Sequence, residues 1–144
     1  MHHIAPGRAA IIVAGMATTA MGAFHFVLPP LFGWARFATA LPAEIQWALF
    51  AMNAFLSLLL LSGGLASLMA IRRPNAGARP VIWMMTGFWL FNACYQLAQP
   101  FPTTGVRWIL LGFAAVVALL YGAGLFLDGV RTCGSMQPSD EATV

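Results

Sequence analysis

The chain has 144 residues, of which 60% are hydrophobic and only 8% are charged, and its mean hydropathy is +0.81. A soluble domain carries about 25% charged residues, and one of this size could not bury so much apolar surface. The composition excludes an ordinary soluble domain and predicts an integral membrane protein. All seven basic residues are arginine, against four acids. We read these arginines as determinants of membrane topology, so no nucleic-acid partner is expected.

Four apolar segments follow one another along the chain, each close to the roughly 20 residues that a membrane-spanning helix needs. We expect spans over about 9–28, 45–71, 80–98 and 106–127. The first span should end at Pro29 and Pro30, because proline rings do not continue a helix. The spans define a single transmembrane domain over residues 1–131. The polar segment 132–144 is expected to be a mobile tail.

A short amphipathic helix is predicted between the first two spans. Residues 29–44 are too few to cross a membrane and too apolar for an ordinary loop. Apolar side chains recur there at helical spacing, at Leu31, Trp34, Phe37 or Ala38, and Leu41. This spacing predicts a helix that lies flat on the membrane surface.

The short connections predict an all-α, up-down-up-down four-helix bundle with both termini on one side of the membrane. That side would carry five arginines, Arg8, Arg72, Arg73, Arg79 and Arg131, and the opposite, outer side would carry two, Arg36 and Arg107. Because basic residues accumulate on the cytoplasmic side, both termini are expected in the cytoplasm. The expected location is the inner membrane of a bacterium.

Each predicted span has a face suited to helix packing in lipid, where small residues and interhelical hydrogen bonds drive association. The small faces are Ala14, Thr18 and Gly22 with His25 in the first span, Asn53, Ser57, Gly64 and Ser67 in the second, and Ala115, Ala118 and Gly122 in the fourth. The third span has a bulkier polar face made of Trp89, Asn92, Gln96 and Gln99.

The outer half of the predicted bundle collects polar residues, which are costly in hydrocarbon unless they have partners. At a rise of about 1.5 Å per residue, His25 lies roughly one turn below the outer surface. We predict a polar pocket centred on His25, the candidate catalytic residue. The candidate ligand-binding residues around it are Asn53, Asn92, Tyr95, Gln96, Gln99, Trp34 and Arg107. A hydrogen-bond network that only holds the helices in register would produce the same pattern.

No metal site and no cofactor are expected. A metal ion bound by protein side chains usually needs three or four ligands, and the spans offer one histidine, one cysteine and no internal carboxylate. Cys94 and Cys133 lie too far apart for a Cys-x-x-Cys redox pair, and no disulfide between them is expected.

A scattered set of residues resembles small bacterial four-helix membrane proteins of the DoxX-like type. The set consists of Phe24-His25-Phe26, Pro29 or Pro30, Phe32-x-Trp34, Asn53, Gly63-Gly64, Trp89 and Gln96. The resemblance covers most of the chain and implies a fold and a membrane location. It implies no activity, and no catalytic residue is carried over from it.

The expected function is that of a small accessory or binding protein, which recognises a lipid, an isoprenoid or a partner membrane protein through the outer half of the bundle. The expected partners are membrane lipids, and a larger membrane protein complex or a second copy of the chain. One alternative is a membrane enzyme acting on a lipid-soluble substrate, with His25 as general acid or base. Another is a small transporter, which would have to work as a dimer because four helices are few for a transport path.

Overall fold

The computed structural model describes residues 5–72 and 78–134, with the side chains of residues 5–72 and 79–127. In this part of the chain the secondary structure consists of α-helices and contains no strand. The helices are α1 (Pro6–Leu31), α2 (Trp34–Ala38), α3 (Ala43–Arg72), α4 (Ala78–Ala98) and α5 (Thr104–Gly134). The predicted all-α fold is confirmed.

Three of the described helices are long and apolar enough to cross a membrane. They are α1, α3 and the Thr104–Leu127 part of α5, whose most apolar stretches have mean hydropathies of 1.8, 2.1 and 2.3. The fourth long helix, α4, has 21 residues and carries Arg79, Asn92 and Gln96 among its apolar side chains. The chain is therefore a helical protein with three helices suited to a membrane, and a crossing by α4 stays a prediction.

The ends of α1 and α5 differ from those predicted. The prediction that α1 stops before its two prolines is wrong, because the helix includes Pro29 and Pro30 in its last turn and ends at Leu31. Each proline lacks the N–H that would donate to the carbonyl four residues earlier, and the helix ends one residue after the second proline. At the other end of the chain, α5 continues to Gly134. Residues 135–144, the rest of the predicted tail, lie outside the described residues.

Glycines on α1 and α3 let these two helices approach closely. Gly22 lies against the backbone of Leu61, and Gly15 lies against Gly64. Since the residue numbers of the contacting pairs run in opposite directions, the two helices are antiparallel. The face predicted for α1, which includes Ala14, is buried, and the face predicted for α3 is buried as well.

The remaining long helices complete a ring of contacts, in which α5 packs on α1 and α4, and α4 packs on α3. Ile11 of α1 lies against Gly124 of α5, and Met85 of α4 lies against Gly63 of α3. The buried apolar side chains form one core, made of Ile11, Ala14, Leu60, Ile82, Met85, Trp89, Ala93, Ala114, Val117, Ala118 and Tyr121. The buried face of α5 is therefore turned slightly from the predicted one, which centred on Ala115, Ala118 and Gly122.

The short helix α2 lies where an amphipathic segment was predicted. The chain enters it through Gly33, whose φ of 62° is in the left-handed region that side chains disfavour. Ala38 is buried and Trp34 packs against Phe50, with ring centroids 6.2 Å apart, whereas Phe37 is 75% exposed. The helix is present, and its placement on a membrane surface stays a prediction.

The contact between α1 and α3 leads to a first testable prediction. A Cβ on Gly22 would lie 2.5 Å from the Leu61 backbone nitrogen, and one on Gly64 would lie 2.6 Å from the Thr19 backbone nitrogen. Because backbone atoms cannot move aside, Gly22→Ala and Gly64→Ala should each destabilise the protein by about 1–3 kcal/mol. Thermal unfolding of the protein in detergent micelles measures the effect. Gly87→Ala is the matched control, because nothing lies within 4 Å of a Cβ there, and a control as unstable as the other two variants would contradict the prediction.

Candidate functional site

Four polar side chains, one from each long helix, meet between the helices. The indole Nε1–H of Trp89 donates a hydrogen bond to Thr18 Oγ1 at 3.0 Å. The Tyr121 hydroxyl lies 3.3 Å from Thr18 Oγ1 and 3.2 Å from Ser67 Oγ. All four side chains are at most 3% exposed. We call Thr18, Ser67, Trp89 and Tyr121 the tyrosine layer.

The tyrosine layer is closed, because its hydroxyl groups also bond within their own helices. Thr18 Oγ1 donates to the Ala14 carbonyl at 2.8 Å, and Ser67 Oγ donates to the Gly63 carbonyl at 2.8 Å. Every polar atom of the layer therefore has a protein partner, and the layer offers no free group to a ligand. Its role is to connect the four long helices.

The sequence pointed to three members of this layer through their helix faces, but not to Tyr121. A single tyrosine in the apolar 106–127 segment is hard to distinguish from the apolar side chains around it. A recognisable signal was present, because Tyr121 lies seven residues after Ala114 and three after Ala118, which places it on the small-residue face of its helix.

A second polar contact joins α1 and α3 nearer the Pro29 end of α1. The Nδ1 atom of His25 lies 3.3 Å from Asn53 Oδ1, and Asn53 Nδ2 donates to the backbone carbonyl of His25 at 2.8 Å. Asn53 is 9% exposed and His25 is half-buried. The structure thus brings together two of the residues that the sequence placed in the predicted pocket.

Pro29 explains why the His25 carbonyl is available to Asn53. In an α-helix the N–H of a residue donates to the carbonyl four positions earlier, so residue 29 would normally donate to His25. Proline has no N–H, and Pro29 lies inside α1. The amide of Asn53 supplies the missing donor from the neighbouring helix.

The same contact fixes the hydrogen bonding of the His25 ring. Because Asn53 Nδ2 donates to a carbonyl, its Oδ1 is the atom that faces the ring, and Oδ1 can only accept. The neutral imidazole therefore carries its proton on Nδ1. This leaves Nε2 with a lone pair that can accept a hydrogen bond.

Gln96 and Arg107 lie at about the same height along the bundle as this pair, although no hydrogen bond among the described side chains connects them to it. His25 is seven residues beyond Thr18 on α1, and Gln96 is seven beyond Trp89 on α4, so each lies about 10 Å from the tyrosine layer. Gly124 of α5 lies against Gly7 and Ile11 of α1, and Arg107 lies 17 residues before Gly124, so in this antiparallel pair it falls opposite residues 24–28 of α1. We call His25, Asn53, Gln96 and Arg107 the histidine layer.

Within the described part of the chain, Arg107 is the residue of this layer that has a buried polar atom without a partner. Its side chain is half-buried, and its Nε atom is buried without a hydrogen-bond partner within the described residues. The guanidinium carbon lies 5.0 Å from the ring centroid of Trp108, a cation–π contact that leaves the N–H groups unused. A buried N–H of a charged group without an acceptor is costly.

The other predicted pocket residues are more dispersed. Asn92 is half-buried on the same α4 face as Trp89, Tyr95 is 54% exposed and stacks on Phe91, and Gln99 is exposed just beyond α4. Trp34 lies on α2 rather than in the histidine layer. Among the described side chains, no hydrogen bond connects these residues to His25 or Asn53.

Comparison with known proteins provides no independent assignment: no protein family, no curated protein and no solved structure matches the chain. The DoxX-like resemblance therefore stays a prediction. Within residues 5–72 and 79–127, no three His, Cys, Asp or Glu side chains form a group that could hold a metal ion.

The tyrosine layer predicts unequal effects of two conservative substitutions. Thr18→Val leaves the buried indole N–H of Trp89 without an acceptor, which should cost about 1–3 kcal/mol. Tyr121→Phe leaves no donor unpaired, and it should cost only about 0.6 kcal/mol, the average for interhelical hydrogen bonds in membranes. Unfolding in mixed micelles, followed by tryptophan fluorescence, measures both. The explanation fails if Tyr121→Phe is the more damaging change.

The role assigned to Pro29 predicts an energetic coupling across two helices. Asn53→Leu should destabilise the natural chain, because it leaves the His25 carbonyl unpaired. In a Pro29→Ala background the new N–H of residue 29 can donate to that carbonyl, so the same substitution should cost about 1 kcal/mol less. A double-mutant cycle of unfolding free energies measures the difference, and additive effects of the two substitutions would refute the role of Pro29.

Proposed function

We propose that this protein is a small integral membrane binding protein whose four long helices cross the bilayer in up-down-up-down order. In this proposal α4 also crosses, covered on two sides by its neighbours α3 and α5. The end that holds the histidine layer faces the outer side of a bacterial inner membrane, and both termini face the cytoplasm. The three apolar helices support the membrane location, and the excess of arginines at the Arg72 end supports the orientation.

The ligand we propose is a lipid or an isoprenoid with a hydrogen-bond-accepting head group, bound at the histidine layer. The observation that carries this proposal is the buried Nε of Arg107 without a partner. The contrast with the tyrosine layer supports it, because there every polar atom is paired by the chain itself. An arginine in a half-buried apolar setting favours a phosphate, carboxylate or carbonyl oxygen.

The other members of the layer can complete the recognition of such a head group. Gln96 is half-buried at the same height, and its amide can both donate and accept. His25 Nε2 can accept a hydrogen bond from a hydroxyl group of the ligand. The apolar tail of the ligand would lie along the helices, where it replaces membrane lipid at little cost.

Native mass spectrometry of the gently purified protein tests this function. Wild-type protein, incubated with a bacterial polar-lipid extract, should retain a defined amphiphile whose head group carries one of these acceptors. Arg107→Gln should retain at least about tenfold less, because a hydrogen bond to a charged group contributes about 1.5–3 kcal/mol.

Arg79→Gln is the matched control for this experiment. Arg79 is an exposed arginine at the opposite end of α4, so its loss removes the same charge without touching the histidine layer. Retention should be unchanged in this variant. If wild type and Arg107→Gln carry the same lipids in the same amounts, a ligand site at the histidine layer is ruled out.

A further inference from the structure

An open groove lies outside the histidine layer, where the chain passes from α1 through α2 toward α3. Its volume is about 740 Å³, within the range of roughly 300–1,000 Å³ that is usual for ligand sites. The groove is lined by nine residues, eight of them between Pro29 and Phe37 and the ninth Phe50 of α3.

The sequence creates this groove through a sharp change of direction. Pro29 and Pro30 lie in the last turn of α1, and the left-handed backbone of Gly33 redirects the chain into α2. Phe50 of α3 closes one side and is held there by its contact with Trp34. The result is a concave surface between three helices rather than a flat helix face.

The lining combines apolar walls with one positive charge. Eight of the nine lining residues are apolar or glycine, and Arg36 is the charged residue among them. Phe32 and Phe37 are 56% and 75% exposed, so the walls are uncovered by the rest of the chain. No acidic residue belongs to the lining, so the charge of Arg36 is not balanced within the groove.

We propose that the groove binds an anionic glycerophospholipid, with its phosphate on Arg36 and the start of an acyl chain against Phe32, Phe37 and Phe50. The charge of Arg36 favours a head group with a net negative charge over a zwitterionic one, whose own cation neutralises the phosphate. The aromatic walls favour a lipid with an acyl chain over a soluble phosphate ester. A second copy of this chain is the poorer occupant, because within residues 5–72 and 79–127 it offers a single carboxylate, Glu44, to match the arginine.

This inference rests on the membrane location in the proposed function but uses different residues from the histidine layer. Arg36 lies in α2, close to the predicted outer surface of the membrane. Lipid phosphates are found at that depth, and a solvent-exposed ion pair contributes up to about 1 kcal/mol, which is about a fivefold preference.

The test uses delipidated full-length protein in mild detergent, mixed with equal amounts of phosphatidylglycerol and phosphatidylcholine that have the same acyl chains. Native mass spectrometry counts the bound lipids. Wild type should prefer phosphatidylglycerol up to about fivefold, and Arg36→Gln should bind the two lipids almost equally. Because Arg36 is exposed, the variant should keep its thermal stability, which is measured in parallel.

Three further arms distinguish the occupants. Arg107→Gln should keep the preference for phosphatidylglycerol, which separates this site from the histidine layer. Glycerophosphoglycerol without acyl chains should bind at least about tenfold more weakly, given about 0.8 kcal/mol for each buried CH₂ group. Binding of this soluble ester as tight as that of the lipid would show an anion site and overturn the proposal. A preference that survives in Arg36→Gln, or that disappears only in Arg107→Gln, would also overturn it.

Discussion

The structure depends on one constraint: hydrocarbon supplies no hydrogen-bond partner, so each buried polar group must find one inside the protein. The tyrosine layer shows how this constraint organises the fold. Thr18 accepts from Trp89 and lies within hydrogen-bonding distance of Tyr121, which also reaches Ser67. Because the four residues come from four helices, sliding or rotating any one helix would break a contact that the apolar interior could not replace.

The link between Pro29, His25 and Asn53 applies the same constraint between distant parts of the sequence. A proline in one helix leaves a carbonyl without its donor, and an asparagine 28 residues after His25 supplies that donor from the next helix. The pair then holds the imidazole in one orientation. A feature that weakens α1 locally therefore strengthens its contact with α3, and it prepares the ring for an interaction at Nε2.

The sequence predicted the helices and much of their packing, because small residues at helical spacing mark the faces where backbones approach. It also placed His25 and Asn53 in one half of the molecule, where they form hydrogen bonds to each other. It did not reveal Tyr121, because the contacts of a lone tyrosine depend on the rotation of its helix, which hydropathy leaves undetermined. For the same reason the buried face of α5 differs from the predicted one. The end of α1 was also missed, because the sequence does not show that Pro29 and Pro30 fit into the last turn of the helix.

The Tyr121 hydroxyl has two oxygen neighbours at nearly equal distances but only one hydrogen to give. If Tyr121 donates to Thr18, then Ser67 either turns its hydroxyl hydrogen from the Gly63 carbonyl to the phenol oxygen, or no hydrogen lies between Ser67 and Tyr121. If Tyr121 donates to Ser67, the same choice falls on Thr18 and the Ala14 carbonyl. Two arrangements of hydrogens thus share one arrangement of heavy atoms. The layer that joins the four long helices consequently keeps an internal degree of freedom, and exchange between the two patterns needs only the rotation of hydroxyl groups.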